Sequence, residues 1–156
     1  MHEGDVAPDV ELADQTGAMR SLSSIAAGKR TVLFFYPAAM THGCTKESCH
    51  FRDLGSDFEA AGAVRVGISM DTVDKQARFA DANSLDYPLL SDRDGAVAKT
   101  FGVKRPFDIL KVRRVTFVLD EDRRVLGVIS SELNTDAHAD RALEILSSTP
   151  RRTTSG

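Results

Sequence analysis

Two residues in this chain can do thiol chemistry, Cys44 and Cys49, and no other cysteine is present. They lie in the run Pro37-Ala38-Ala39-Met40-Thr41-His42-Gly43-Cys44-Thr45-Lys46-Glu47-Ser48-Cys49, directly after the apolar stretch Thr31–Tyr36. A buried strand, a proline-marked loop and a cysteine in the opening turn of a helix together make a thiol reactive. The thiolate is the nucleophile, and at the reference pKa of ~8.5 only about 3% of a thiol is ionised at neutral pH. Lowering that value to ~6 raises the ionised fraction to about 90%, which takes a bias of about 3.4 kcal/mol. A helix N-terminus supplies about 0.3–2 kcal/mol, so position alone is insufficient. A guanidinium at about 4 Å is worth on the order of 4 kcal/mol near a protein surface. Lys46 and Arg52 are local candidates for that cation. Arg113 and Arg114, entering a buried strand at Val115–Leu119, are better placed to be held rigidly.

Thr41, three residues before Cys44, brings a hydroxyl to the same turn. It can donate to one oxygen of a substrate while accepting from the other, and it also suits a plain helix cap. Pro37 can stiffen the loop and shield the sulfur from water. Gly43 permits close approach of other groups to the backbone. The spacing of the cysteines carries its own argument. Residues five apart on a regular helix have Cα atoms about 8.6 Å apart and point about 140° away from each other. A disulfide needs roughly 4.4–6.8 Å and converging Cβ vectors. A Cys44–Cys49 bond therefore requires local unwinding, and the expectation is a cycle between a helical thiol state and an unwound disulfide state.

The surrounding pattern predicts the elements that position these groups. Val10 and Leu12 precede Asp14-Gln15-Thr16-Gly17, a short N-terminal hairpin, and 21–27 reads as a short helix. Thr31–Tyr36 is apolar on both faces, as for a central strand. Helical spacing runs from about Cys44 to Ala61, with Phe51, Leu54 and Phe58 on one face. A strand at 64–70 follows, then a helix over 73–83 capped by Asp71-Thr72, a short strand at 88–90 and a short helix at 95–101. An irregular stretch at 105–113 leads to a hairpin of 115–119 and 124–129. A last helix spans 136–147. The alternation argues for an α/β fold with a central mixed sheet flanked by helices. One domain is expected over 1–149, with 150–156 a flexible tail.

Composition excludes several classes. The net charge of −3 offers no basic face for nucleic acid. No apolar run approaches the ~20 residues of a membrane span. The acidic N-terminus lacks an apolar signal core, so a cytoplasmic setting is expected, where a cysteine pair is more often redox-active than a structural staple.

The run Phe34-Phe35-Tyr36-Pro37-x-x-x-Thr41-x-x-Cys44-Thr45-x-Glu47-x-Cys49-x-Phe51-Arg52-Asp53 resembles the active-site signature of the peroxiredoxins. The second cysteine five residues on is similar to the bacterioferritin comigratory protein, or peroxiredoxin Q, branch. Gly67-Ile68-Ser69, Leu89-Leu90-Ser91-Asp92 and Arg114–Asp120 extend the likeness along nearly the whole chain. The resemblance implies a thioredoxin-like fold and a peroxidatic Cys44 that attacks a hydroperoxide to give a sulfenic acid. It implies that Cys49 resolves this as an intramolecular disulfide, which thioredoxin or a similar dithiol reduces. Thr41 and Arg114 map onto substrate-orienting and thiolate-stabilising residues, Pro37 onto the shielding proline, and Glu47 onto an anchor for the arginine. No metal or organic cofactor is implied, and a monomer is favoured over a homodimer. His42 departs from the proline many relatives carry there.

Blander readings compete for each residue. Cys44 can be an inert core thiol and Cys49 a spectator. Arg114 can be a solvated strand-end charge, with Arg113 its rival, and Glu47 an ordinary surface acid. Phe79, Phe101 and Phe107 read as core, although Phe107, Ile109 and Leu110 follow a proline loop and can line the pocket or a dimer contact. A zinc site from His42, Cys44, Cys49 and His50 is disfavoured, because cysteines five apart on one helix diverge. Two other function classes share the fold pattern: a protein-disulfide oxidoreductase, which normally carries a C-x-x-C pair absent here, and a non-enzymatic peroxide sensor or redox-switched interaction protein.

Overall fold

The computed structural model describes residues 1–105 and 112–150. Its centre is β3 (Arg30–Phe35), every residue of which is buried. β3 runs parallel to β4 (Ala63–Ser69) and antiparallel to β6 (Val115–Leu119). Beyond β4 lies β5 (Leu89–Ser91), and β7 (Val125–Ser130) closes the other side against β6. The expected N-terminal hairpin is β1 (Glu11–Ala13) with β2 (Met19–Ser21), joined to the sheet through Ala13 and Ser91. The mixed sheet has the order β2-β1-β5-β4-β3-β6-β7.

Side-chain alternation along β3 divides the core into two layers. Val32, Phe34 and Tyr36 point to one face and pack under α2 (His42–Asp53), α3 (Gly55–Ala60), α4 (Val73–Asn83) and α6 (Asp136–Ser148). Leu33 and Phe35 point to the other face, under α1 (Leu22–Ala26) and α5 (Ala96–Thr100). Ser21 caps α1, and Thr72 caps α4 by accepting from Lys75 N at 3.1 Å. In α2 the buried set is Cys44, Glu47, Ser48 and Phe51, an i, i+3, i+4, i+7 stripe. Phe51 stacks on Phe34 with ring centroids 4.2 Å apart, which fixes the height of the helix over the sheet.

The long helix expected over 44–61 is two helices. Leu54, at φ −93° and ψ 15°, separates α2 from α3. Arg65 fills the notch: its Nη1 donates to Phe51 O at 2.9 Å, and a Cβ on Gly55 would stand only 3.1 Å from Nη2. The apolar periodicity hides the break because Phe51 and Phe58 both reach the same core, with rings 5.6 Å apart. The stretch predicted as irregular is bracketed by an isolated bridge between Lys104 and Val112. Phe107, Ile109 and Leu110 lie outside the described residues, as does the tail from 151 onward. No helix among the described residues is long and apolar enough to cross a membrane.

Candidate active site

β3 delivers the chain at Tyr36 into a loop that places Cys44 in the first turn of α2. Thr41 occupies the N-cap position, so Cys44 is the third helical residue, beside the free N–H groups and the positive end of the dipole. No acidic residue lies in that turn, while Arg52, complementary to the dipole, lies in the last one. Cys44 is fully buried. Arg114, at the entrance to β6, reaches it with Nη2 at 3.3 Å from Sγ. The other arm of the same fork, Nη1, donates to Glu47 Oε1 at 2.9 Å. Glu47 follows Cys44 by three residues on α2, so one guanidinium bridges two groups on one helix face. Gly43 leaves room for this, since a Cβ there would meet Arg114 Nη2 at 3.3 Å.

The rival cations are elsewhere. Arg113 and Lys46 are exposed, and Arg52 donates to Asn83 O at 2.7 Å and to Asp53. Burial pushes the Glu47 carboxyl up to about 8, with Arg114 pulling the other way. Burial also works against the charge on Arg114, but its interactions with Glu47 and Cys44 outweigh this and hold the guanidinium above its ordinary range.

Thr41 differs in detail from the expectation. It stands at the cap position, yet its side chain makes no capping hydrogen bond; its hydroxyl donates to Ala38 O at 2.8 Å. Pro37 is buried. Cys49 is half-buried, and its thiol faces Asn83 Oδ1 at 3.7 Å. Both cysteines are free, and α2 is continuous between them.

With this geometry in place, comparison with known proteins is decisive. Residues 4–128 match the AhpC/TSA family. The chain is 36% identical over 148 residues to peroxiredoxin Bcp of Escherichia coli, covering 92% of this chain and 94% of that one. This chain is a peroxiredoxin. It is similar in structure to peroxidoxin BcpB of Mycobacterium tuberculosis, with a TM-score of 0.90 and 58% identity over 94% of this chain and 97% of that one. It is also similar to the bacterioferritin comigratory protein of Xanthomonas campestris, whose structures concern alkyl peroxide reduction (TM-score 0.82, 29% identity, 92% and 98% coverage). The peroxiredoxin is therefore of the Bcp and peroxiredoxin Q type, a thiol peroxidase on a thioredoxin-like fold.

Two supports of this peroxiredoxin's site are not apparent in the sequence. The first is a polar cluster beneath the loop. Asp71 Oδ2 accepts from Ala39 N at 2.7 Å and from Ser69 Oγ at 2.6 Å. Gln76, itself buried, donates to Ser69 Oγ and to Leu90 O and accepts from Tyr36 OH. The loop is thus tied to the ends of β4 and β5 just before Met40, whose φ of +69° sets the sharp entry to Thr41.

The second support is His138 on α6, fully buried behind Glu47. Its Nε2 lies 2.8 Å from Ser131 O, and a carbonyl can only accept, so Nε2 carries the hydrogen. Nδ1 then accepts from the Thr116 hydroxyl at 2.8 Å. Glu47 Oε2 makes no hydrogen bond among the described residues and faces this Nε2 at 3.6 Å. Burial holds the His138 imidazole below its ordinary range, with the Ser131 bond pulling upward and Arg114 downward. The unfolded chain therefore binds a proton near ~6.5 that the folded one refuses, and this residue's contribution to stability falls as pH drops below about 6.5. Glu47, raised in the fold, has the opposite slope, so the contribution must be read as a difference. The gap in Tm between wild type and His138→Gln should narrow as pH is lowered from about 7.5 to about 5.5. A gap independent of pH in thermal melts would contradict a neutral buried imidazole.

Proposed function

We propose that Cys44 is the peroxidatic residue of this peroxiredoxin and that Cys49 resolves it. The Cys44 thiolate attacks the terminal oxygen of a hydroperoxide; the O–O bond breaks, Cys44 becomes a sulfenic acid, and the departing alkoxide or hydroxide takes a proton to leave as alcohol or water. The observation that carries this reading is the guanidinium of Arg114 at 3.3 Å from a buried sulfur in the first turn of a helix. Two positive poles converge on one sulfur, as an activated thiolate requires. Glu47 anchors that guanidinium, Pro37 shields the sulfur, and Thr41 orients the peroxide, exchanging its bond to Ala38 O for one to substrate. The substrates we propose are hydrogen peroxide and small organic hydroperoxides. The likeness to the Xanthomonas protein supports the organic class.

Cys49 then attacks the sulfenic acid, water leaves, and the helix between the two cysteines unwinds to let the sulfurs meet. Thioredoxin or a similar dithiol reduces the disulfide. The enzyme works as a cytoplasmic monomer with one domain over 1–149.

Steady-state peroxide consumption with a thioredoxin system tests the cycle. Turnover is expected; a single stoichiometric oxidation without turnover would favour a sensor, and reduction of protein disulfides without peroxide use would favour an oxidoreductase. Cys49→Ser should consume one equivalent of peroxide and stop at Cys44 sulfenic acid, trapped by dimedone. If wild type given one equivalent shows no 44–49 bond by mass spectrometry, the resolving role fails.

A further inference from the structure

Five consecutive residues of α2, from Ser48 to Arg52, are each tied to a residue outside that helix. Tyr87, just before β5, donates its hydroxyl to Ser48 O at 2.7 Å. The Cys49 thiol faces Asn83 Oδ1 on α4. His50 Nε2 meets Asp140 Oδ1 on α6 at 2.7 Å. Arg65 on β4 donates to Phe51 O, and Arg52 donates to Asn83 O. Arg65 also lies over the Tyr87 ring, 5.0 Å from its centroid, and pairs with Asp86, so Tyr87 is clamped from its other face. Tyr87 is buried, its ring packed edge-on to Phe34.

The Tyr87 bond goes to the carbonyl immediately before Cys49. A backbone group held this way cannot leave helical geometry without breaking a buried hydrogen bond, whose loss leaves a desolvated phenol and carbonyl. We propose that Tyr87, with Asn83, is a positioning residue for the resolving step: the pair holds the Cys49 half of α2 wound and so sets how long the Cys44 sulfenic acid waits for Cys49. The inference rests on the resolving role proposed above. During the wait two reactions compete. Attack by Cys49 gives the disulfide and water. Attack on a second hydrogen peroxide oxidises the sulfenic acid to sulfinic acid, the peroxide being reduced to water. A stronger clamp lengthens the wait and favours the sulfinic product.

The test compares wild type, Tyr87→Phe and Asn83→Ala as full chains, each reduced and then given graded hydrogen peroxide. Intact mass gives the partition between disulfide and sulfinic acid, and stopped flow gives the rate of disulfide formation. Phenylalanine keeps the ring in the core and deletes only the hydroxyl, and amide exchange over 48–53 in the reduced protein should rise with it. Tyr87→Phe should form the disulfide at least about threefold faster and need at least about threefold more peroxide to reach half sulfinic acid, as loss of a buried hydrogen bond of ~1 kcal/mol implies; Asn83→Ala, which deletes a part-buried contact, should shift both readouts the same way by less. An unchanged partition in both variants, with the disulfide forming normally in wild type, would overturn the clamp. Absence of the 44–49 bond in wild type would instead remove the resolving role, and the clamp with it.

Discussion

Cys44→Ser should abolish peroxide consumption, leaving nothing above the buffer rate even though Cys49 remains. A serine hydroxyl cannot replace the thiolate, since it stays protonated and cannot form the sulfenic acid intermediate. Cys49 cannot replace Cys44 because its surroundings differ. It sits in the middle of α2, away from the free N–H groups, and its sulfur faces Asn83 Oδ1 and not a guanidinium. Arg114 gives its fork to Cys44 and Glu47. Dithiol-coupled peroxide loss, followed at low micromolar enzyme, reads the outcome; retained turnover in Cys44→Ser would sink the assignment.

Arg114→Ala should slow the first oxidation of Cys44 by on the order of a hundredfold or more. The guanidinium stands 3.3 Å from the sulfur, and a pair at that range is worth on the order of 4 kcal/mol at a protein surface. If water entering the vacated space restores about a third of this, the remaining ~2.7 kcal/mol is a hundredfold in rate. The same change leaves Glu47 buried without its partner, a loss that typically costs about 3–5 kcal/mol of stability. Circular dichroism and a melt must therefore accompany the kinetics. Arg114→Lys separates charge from shape: one ammonium cannot hold both Oε1 of Glu47 and the Cys44 sulfur with the planar fork, so recovery should be partial. Arg113→Ala should stay within about twofold, because an exposed side chain contributes little of this kind. The reverse ranking, read from competition kinetics, would transfer the role to Arg113.

What could be read from the sequence follows from what each residue reports locally. Cys44, Thr41 and Pro37 announce themselves because the loop that joins a buried strand to a helix has few solutions, and their spacing fits one. The entry to the apolar strand 115–119 points to Arg113 and Arg114 alike, and only the family resemblance separates the two in the sequence. Glu47 is legible as an arginine anchor only through the family resemblance; by residue type it suits a surface acid equally well, and its burial depends on α6 packing against α2. His138 gives no such signal. On a helix of mixed residues a lone histidine reads as surface, and its burial depends on how α6 settles against α2 and β6, a long-range matter. Asp71 was legible as part of a cap; its second task, holding Ala39 N, depends on the loop folding back over β4. The split of the helix at Leu54 was invisible because hydrophobic periodicity records which face is buried, not whether every backbone bond is made.

That split has a consequence for the energetics of the catalytic cycle. Helix formation propagates residue by residue, so melting one end of an uninterrupted helix spreads along it. Here the propagation meets a boundary at Leu54, where Arg65 already serves the carbonyl of Phe51 from outside. The break at Leu54 therefore sets a backbone boundary between α2 and α3, although Phe51 and Phe58 share one core across it. An unwinding that starts around Cys44 in the twelve-residue α2 therefore meets this boundary before it reaches α3, whose Phe58 is buried.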